Sequence, residues 1–273
     1  MPHDMRTLAP TAAELLEVRP PAGAEVGPIP EVVARLGPVR RLAMVIMDGF
    51  GLATWDYARE RCPTVNALAA DHLLTIHSVL PAITPVNFAT MVTGASPQAH
   101  GIRARTERLE LETLFHLLQA KGRPTAAVGR ALSTVGILLA PFADLRGVAE
   151  SNEDWEVLEL GLKILREYEP DYLLLQFLAV DSVSHRHGPF SPANAQAVAE
   201  TDARLRRLIG QLASQGYGLL LLADHGQHTA PLDEQQPGHI GTHDGTVEED
   251  VQVPLIWASA AELRDMVEVG SLS

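Results

Sequence analysis

Residues Gly216 to Thr229 read GYGLLLLADHGQHT. Four consecutive leucines show no alternation, and a short continuous apolar run beginning at glycine is the pattern of a strand buried on both faces. The run stops at Asp224, His225 and Gly226. An unpaired carboxylate at the end of such a strand would cost on the order of several kcal/mol, so something there must compensate its charge.

Two further runs have the same form, RRLAMVIMDGFG over 40–51 and PDYLLLQFLAVDSVSH over 170–185. Helical patterns lie between them. CPTVNALAADH has Pro63 near a helix start, LETLFHLLQAKG ends at Gly122, and SNEDWEVLELGLKILREYEP stops at Pro170. SPANAQAVAETDARLRRLIGQLASQG is the longest, from Ser191 to Gly216. This alternation predicts an α/β fold with a mostly parallel central sheet and helices on both faces. Ligands of such sheets bind outside the carboxyl ends of the strands. Each of the three buried strands is expected to end there in an aspartate: Asp48, Asp181 and Asp224. Carboxylates converging at one sheet edge repel one another unless cations sit between them.

The chain has 273 residues, 46% hydrophobic and 20% charged, which suits a single globular domain over 1–273. A net charge of -13 argues against a stable nucleic-acid complex or an anionic membrane surface as partner, since both need fields of Lys and Arg. Cys62 is the only cysteine, so an intrachain disulfide and a thiolate metal cluster are both excluded. No apolar stretch approaches the ~20 residues of a membrane span and no secretory leader pattern opens the chain, so a cytoplasmic location is the expectation. A homo-oligomer is compatible with this composition.

Histidines complete the constellation. His185 follows Asp181 by four residues in DSVSHRHGP, His225 follows Asp224 directly, and His243 lies in GTHDG. Imidazoles and carboxylates without thiolates suit zinc, with manganese or iron as alternatives, better than calcium or magnesium. Six such groups can hold two divalent metal ions. PAITPVNFATMVTGASPQAHGI then supplies Thr84 as a candidate nucleophile just before a helical pattern, where a helix N-terminus favours a bound anion.

Taken together these residues resemble the alkaline phosphatase superfamily, and most closely its nucleotide pyrophosphatase/phosphodiesterase-like branch, from MVIMDGFG at 44–51 to VPLIWA at 253–258. The resemblance implies that Asp48, Thr84, Asp224 and His225 bind one metal and that Asp181, His185 and His243 bind the other. It also implies that Asn87 donates to a phosphoryl oxygen. Ser184 and Asp244 stand where the family commonly has glycine, and Pro85 stands one place earlier than that branch's proline. The implied function is hydrolysis of phosphodiester or nucleotide pyrophosphate bonds in a small phosphorylated substrate, through a phosphothreonine intermediate. A phosphomonoesterase or a phosphonate hydrolase is the alternative within the superfamily, and a non-catalytic metal-binding interaction domain is the alternative outside it.

The first 38 residues resemble the family's usual C-terminal segment, with MRTLAPTAAELLEVRPPAGAEVGPI at 5–29, while VEVGSLS at the end resembles what normally leads into it. A circular permutation follows as an expectation, with Ser273 close to Met1; docking of this helix on a neighbouring subunit is its alternative.

Other residues get plainer expectations. Thr90 and Thr93 are structural; His187, His228 and His239 are surface groups or supports of the ligands; His100 is assigned no metal. Arg103 and Arg105 are expected to be solvated, with reach to a substrate phosphate as the alternative, and Trp155 and Leu160 to belong to the core.

Overall fold

The structure is a computed structural model that describes residues 3–235 and 238–268. Its strands are β1 (Arg41–Met47), β2 (Leu73–His77), β3 (Thr125–Arg130), β4 (Leu145–Ala149), β5 (Tyr172–Phe177), β6 (Tyr217–Leu222), β7 (His228–Thr229), β8 (Gly241–Thr242) and β9 (Gln252–Ala258). Seven form one sheet in the order β2-β9-β6-β1-β5-β3-β4, and β7 pairs with β8 in a small ribbon. The three runs noted in the sequence are β1, β5 and β6, which lie side by side and parallel. β3 and β4 extend the parallel part, whereas β9 runs antiparallel to both β6 and β2. The sheet is therefore mixed but mostly parallel.

Val45 is in register with both Leu175 and Leu221, and Ile46 with Leu222. Asp48 and Asp224, each two residues beyond that last pair, consequently leave the sheet at the same level. β1, β5 and β6 are buried along nearly their whole length, because helices cover both faces. One layer contains Asp154–Tyr168, Pro192–Ser214 and Ala260–Glu268, packed on one another and on the sheet; the other contains Leu8–Leu15, Thr84–Thr93 and Leu114–Gln119.

Two expectations need correction. β5 ends at Phe177 and Asp181 sits instead in the first turn of the helix Ala179–His187. The cause is Asp154, whose carboxylate accepts hydrogen bonds from the N–H groups of Leu178 and Ala179 at 2.9 and 2.8 Å and so caps that helix. Trp155 is 55% exposed. Asp154 turns inward to make the cap, and Val157, Leu158, Leu162 and Leu165 form the buried stripe, which leaves the neighbouring Trp155 on the outer side.

The N-terminal segment packs within its own chain. Helix Leu8–Leu15 lies against Thr84–Thr93, Val39 N–H donates to Leu15 O, and Thr11 Oγ1 accepts from Ile29 N–H at 2.9 Å. Gly94 ends the helix Thr84–Thr93 at φ 72°, and a Cβ there would stand 2.8 Å from that of Ala24, so the segment closes directly over the turn. Met1 and Ser273, whose proximity the permutation requires, lie outside the described residues.

Just beyond that turn, buried His100 accepts from Ile102 N–H at Nδ1 (3.1 Å), so its proton is on Nε2, which bonds Thr90 Oγ1 at 3.0 Å. Burial, with Arg103 nearby, lowers its pKa to about 4. Protonation would place a second N–H against that of Ile102. The folded state binds this proton more weakly than the unfolded chain. The stability it contributes is complete above the ordinary histidine pKa of 6.5 and is lost as the pH falls toward about 4. Urea unfolding at pH 7 and pH 4.5 should show a loss of the order of 2 kcal/mol in the native protein that is reduced in His100→Asn. An equal loss in both proteins would refute this role.

Candidate metal centre

At the carboxyl edge of the sheet two groups of donors face each other. Asp48, Asp224 and His225 form one and Asp181, His185 and His243 the other; within each group one atom per residue lies within 4.8 Å of the rest. In the first, His225 Nε2 is 3.5 Å from Asp48 Oδ1 and 3.3 Å from Asp224 Oδ2. In the second, Asp181 Oδ1 is 3.3 Å from His185 Nε2 and 3.7 Å from His243 Nε2. The rings of His225 and His243 stack with centroids 3.7 Å apart, so the groups adjoin.

All three imidazoles are oriented alike. Nδ1 of His185, His225 and His243 lies 2.9, 3.0 and 2.7 Å from the carbonyl oxygens of Gly241, Gly226 and Ala82. A carbonyl can only accept, so each Nδ1 carries a proton and each Nε2 is turned toward the carboxylates. His185 Nε2 and His243 Nε2 are 3.2 Å apart, an arrangement that two lone pairs oppose unless a cation or a proton stands between them. Burial opposes protonation of His185, but the hydrogen bond and the charge of Asp181, with the Gly241 carbonyl, together outweigh this and raise its pKa. Burial depresses His225, and it lowers His243 to about 4 together with the neighbouring His225.

Asp48 and Asp224 carry the same strain. Burial, then the charges of Asp224 and Asp181, push Asp48 well above the carboxylate range; burial and Asp181 raise Asp224 to about 7. Asp48 Oδ1 and Asp224 Oδ2, the two oxygens that face His225, are fully buried and lack any hydrogen-bond partner among the described residues. Buried orphan oxygens beside unprotonated imidazole nitrogens are the donor set of a divalent cation.

The other oxygens of Asp48 and Asp224 are held, and so is the oxygen of Asp181 that faces His185 and His243. Gln176, the one polar side chain in β5, donates Nε2 to Asp48 Oδ2, and Gln227 donates Nε2 to Asp181 Oδ1. Gly49 N–H donates to Asp224 Oδ1 at 3.2 Å. Gly49 has φ 72°, and a Cβ there would stand 2.9 Å from Gln227 Nε2 and 3.1 Å from Asp181 Cα. Asp250, fully buried, accepts from His228 Nδ1 at 2.8 Å and from the N–H groups of Asp244 and Gly245 at 3.0 Å each, which fixes the turn after His243. The buried ion pair of Arg130 with Asp154 supports the helix carrying Asp181 and His185.

Thr84 is the first residue of the helix Thr84–Thr93, with Ile83 at its cap. Its Oγ1 lies 3.1 Å from His225 Nε2, to which it donates. Asn87 is not brought into the site. It is fully buried; Oδ1 accepts from Val79 N–H at 2.9 Å, and Nδ2 is directed at the carbonyls of Val79 and Ile83, 3.4 and 3.3 Å away. Its place is in holding the loop that delivers Thr84. Gln176, Gln227, Asp250 and the pair of Arg130 with Asp154 belong to none of the motifs read from the sequence. A lone Gln in the buried run YLLLQF was the available signal for the first.

The sequence profile of type I phosphodiesterase / nucleotide pyrophosphatase matches residues 42–111 and 126–260. The chain belongs to this family. Venom phosphodiesterase 2 of Crotalus adamanteus is 26% identical in an alignment 230 residues long that covers 70% of this chain and 27% of that protein. The chain thus spans about a quarter of the length of such curated relatives. Among solved structures, murine ectonucleotide pyrophosphatase / phosphodiesterase 5 in complex with AMP aligns with a TM-score of 0.60 at 18% identity, over 71% of this chain and 59% of that one. Phosphonoacetate hydrolase from Sinorhizobium meliloti 1021 aligns with a TM-score of 0.58 at 21% identity, over 71% and 58%. These likenesses establish an alkaline phosphatase-like fold. No helix of the described residues is long and apolar enough to cross a membrane.

Zinc added a hundredfold above its dissociation constant should stabilise the protein by about 3 kcal/mol, seen as a rise in melting temperature. Asp48→Asn removes one of the repelling charges, so the metal-free variant should melt no lower than the metal-free native protein at pH 8, yet lose the part of the rise that the group of Asp48, Asp224 and His225 contributes. A metal-induced rise undiminished in the variant would remove Asp48 from the centre.

Proposed function

We propose that the chain hydrolyses phosphodiester or nucleotide pyrophosphate bonds, with Thr84 as nucleophile and a phosphothreonine intermediate. The observation that carries this is the position of Thr84 Oγ1, 3.1 Å from His225 Nε2, at the start of a helix and in the wall of a cleft of about 620 Å³ that also contains Asp181, His185 and His243. In this proposal Asp48, Asp224, His225 and Thr84 hold one divalent ion and Asp181, His185 and His243 the other. Zinc is the best fit to imidazole and carboxylate donors, and manganese and iron share that preference. When bound, the ions would neutralise the carboxylates, lower the pKa of the Thr84 hydroxyl and offset the charge gathered on the phosphoryl oxygens.

The protein's own contribution is placement. Ile83 ends the loop held by Asn87, and the helix behind Thr84 is pinned by the N-terminal segment, so Oγ1 needs no reorientation before attack. The helix N-terminus adds partial positive charge on the side where the phosphoryl group must lie. Attack forms the bond from Oγ1 to phosphorus as the bond to the leaving oxygen breaks, and water releases the phosphoryl group in a second displacement. The substrate expected is a small phosphorylated molecule, with nucleotides included.

Thr84→Ala should lower kcat toward bis(4-nitrophenyl) phosphate by about 10³-fold or more while the site of Asp181, His185 and His243 still takes up metal. Undiminished turnover would eliminate Thr84 as nucleophile.

A further inference from the structure

The cleft beside Thr84 is also lined by polar residues outside the two donor groups, among them Arg105, Thr106, Ser133, Thr134 and Ser182. No phenylalanine, tyrosine or tryptophan is among its described lining residues, so a nucleobase has no such ring to stack on there. Four of the five are neutral hydroxyls. Arg105 is the only lysine or arginine among the described lining residues, in a chain whose net charge is -13.

The turn that carries Arg105 is built, and its neighbours are committed elsewhere. Glu107 accepts from the backbone N–H groups of Arg103 and Ala104, which closes the turn under Arg105. Arg103 Nη1 donates to the carbonyls of Pro97 and Ile102 at 3.2 and 3.0 Å, and Arg108 pairs with Glu110 at 3.0 Å. Arg105 makes no ion pair or hydrogen bond with any described residue, although Asp181 lines the same cleft. Arg105 is exposed, lines the cleft and has no carboxylate partner among the described residues, so its guanidinium is a ready donor to an anionic oxygen, and the hydroxyls that line the same cleft can complete that group's hydrogen bonds.

We propose that Arg105 is a specificity-determining residue that selects substrates with a second negative charge beyond the single charge of a simple phosphodiester. This inference rests on the hydrolase reading above and deepens it. The second charge sits either on the reacting phosphoryl group, as in a monoester, or on the leaving group, as in a nucleoside triphosphate cleaved to its monophosphate and pyrophosphate. In both cases the bond from phosphorus to the leaving oxygen breaks with its electron pair going to the leaving group, and the bond from Thr84 Oγ1 to phosphorus forms. The hydroxyl proton goes to solvent.

The test compares the metal-loaded native protein with Arg105→Ala, Arg105→Lys and, as a control on the same turn, Arg108→Ala. The substrates are bis(4-nitrophenyl) phosphate, 4-nitrophenyl phosphate and thymidine triphosphate. Arg105→Ala should lose about tenfold or more in kcat/KM on at least one doubly charged substrate beyond its loss on the diester, with Arg105→Lys recovering part of it and Arg108→Ala changing none. The substrate that suffers locates the second charge on the phosphoryl or on the leaving group. Calorimetric binding of the same compounds to Thr84→Ala, with and without Arg105→Ala, should show the same difference without turnover. Equal losses on all three substrates, or none, would overturn the assignment of Arg105. Inactivity of the native protein toward all three would instead remove the hydrolase reading on which it rests.

Discussion

Like charges held together at a buried sheet edge are the constraint around which the molecule is arranged. The registers of β1 and β6 bring Asp48 and Asp224 out at one level, and the helix after β5 brings Asp181 toward them. Burial and the charges of neighbouring carboxylates push Asp48 and Asp224 toward their protonated forms. Hydrogen bonds from Gln176, Gln227 and Gly49 fix one oxygen of each carboxylate, but two buried oxygens keep no partner among the described residues. A fold stabilised by its core alone would gain from replacing these groups with apolar ones. Their retention at the ligand-binding edge of an α/β sheet makes sense if a cation is the missing partner.

The surrounding structure holds that unfavourable arrangement in place. Carbonyl groups lock the three imidazoles in one orientation, Asp250 fixes the turn behind His243, and Asp154 caps the helix of Asp181 and His185 while paired with Arg130. The first residues of the chain are part of the same support, because they pack on the helix that begins with Thr84. Preorganisation of this kind is what a site needs if its electrostatics are to act on a reacting group without first rearranging.

Much of this was legible in the sequence because buried parallel strands write themselves as continuous apolar runs, and polar residues at their ends then stand out. β1, β5 and β6 could be read that way, with Asp48, Asp224 and His225 at the ends of two of them, whereas Asp181 and His185 lie beyond the end of the third and His243 stands out only in GTHDG. β3, with TAAVGR, and β4, with LRGVA, lack such a run and were passed over. The exact end of β5 was hidden because Asp154, a residue distant in sequence, decides it. Asn87 illustrates a different limit: spacing along a helix places a residue near the nucleophile but does not tell whether its amide faces the cleft or the loop behind it. Trp155 failed for the same reason, since an inward cap at Asp154 rotates its neighbour outward. Supports such as Gln227 and Asp250 carry no motif at all and become visible only when their partners do.

The central claim is that divalent cations complete this centre, and the most direct measurement is the metal content of the purified protein by elemental mass spectrometry after loading with zinc or manganese. The account predicts about two ions per chain, as a two-metal site requires, with uptake reduced when Asp48 or Asp181 is replaced by asparagine. Failure to retain stoichiometric metal under any loading would contradict it.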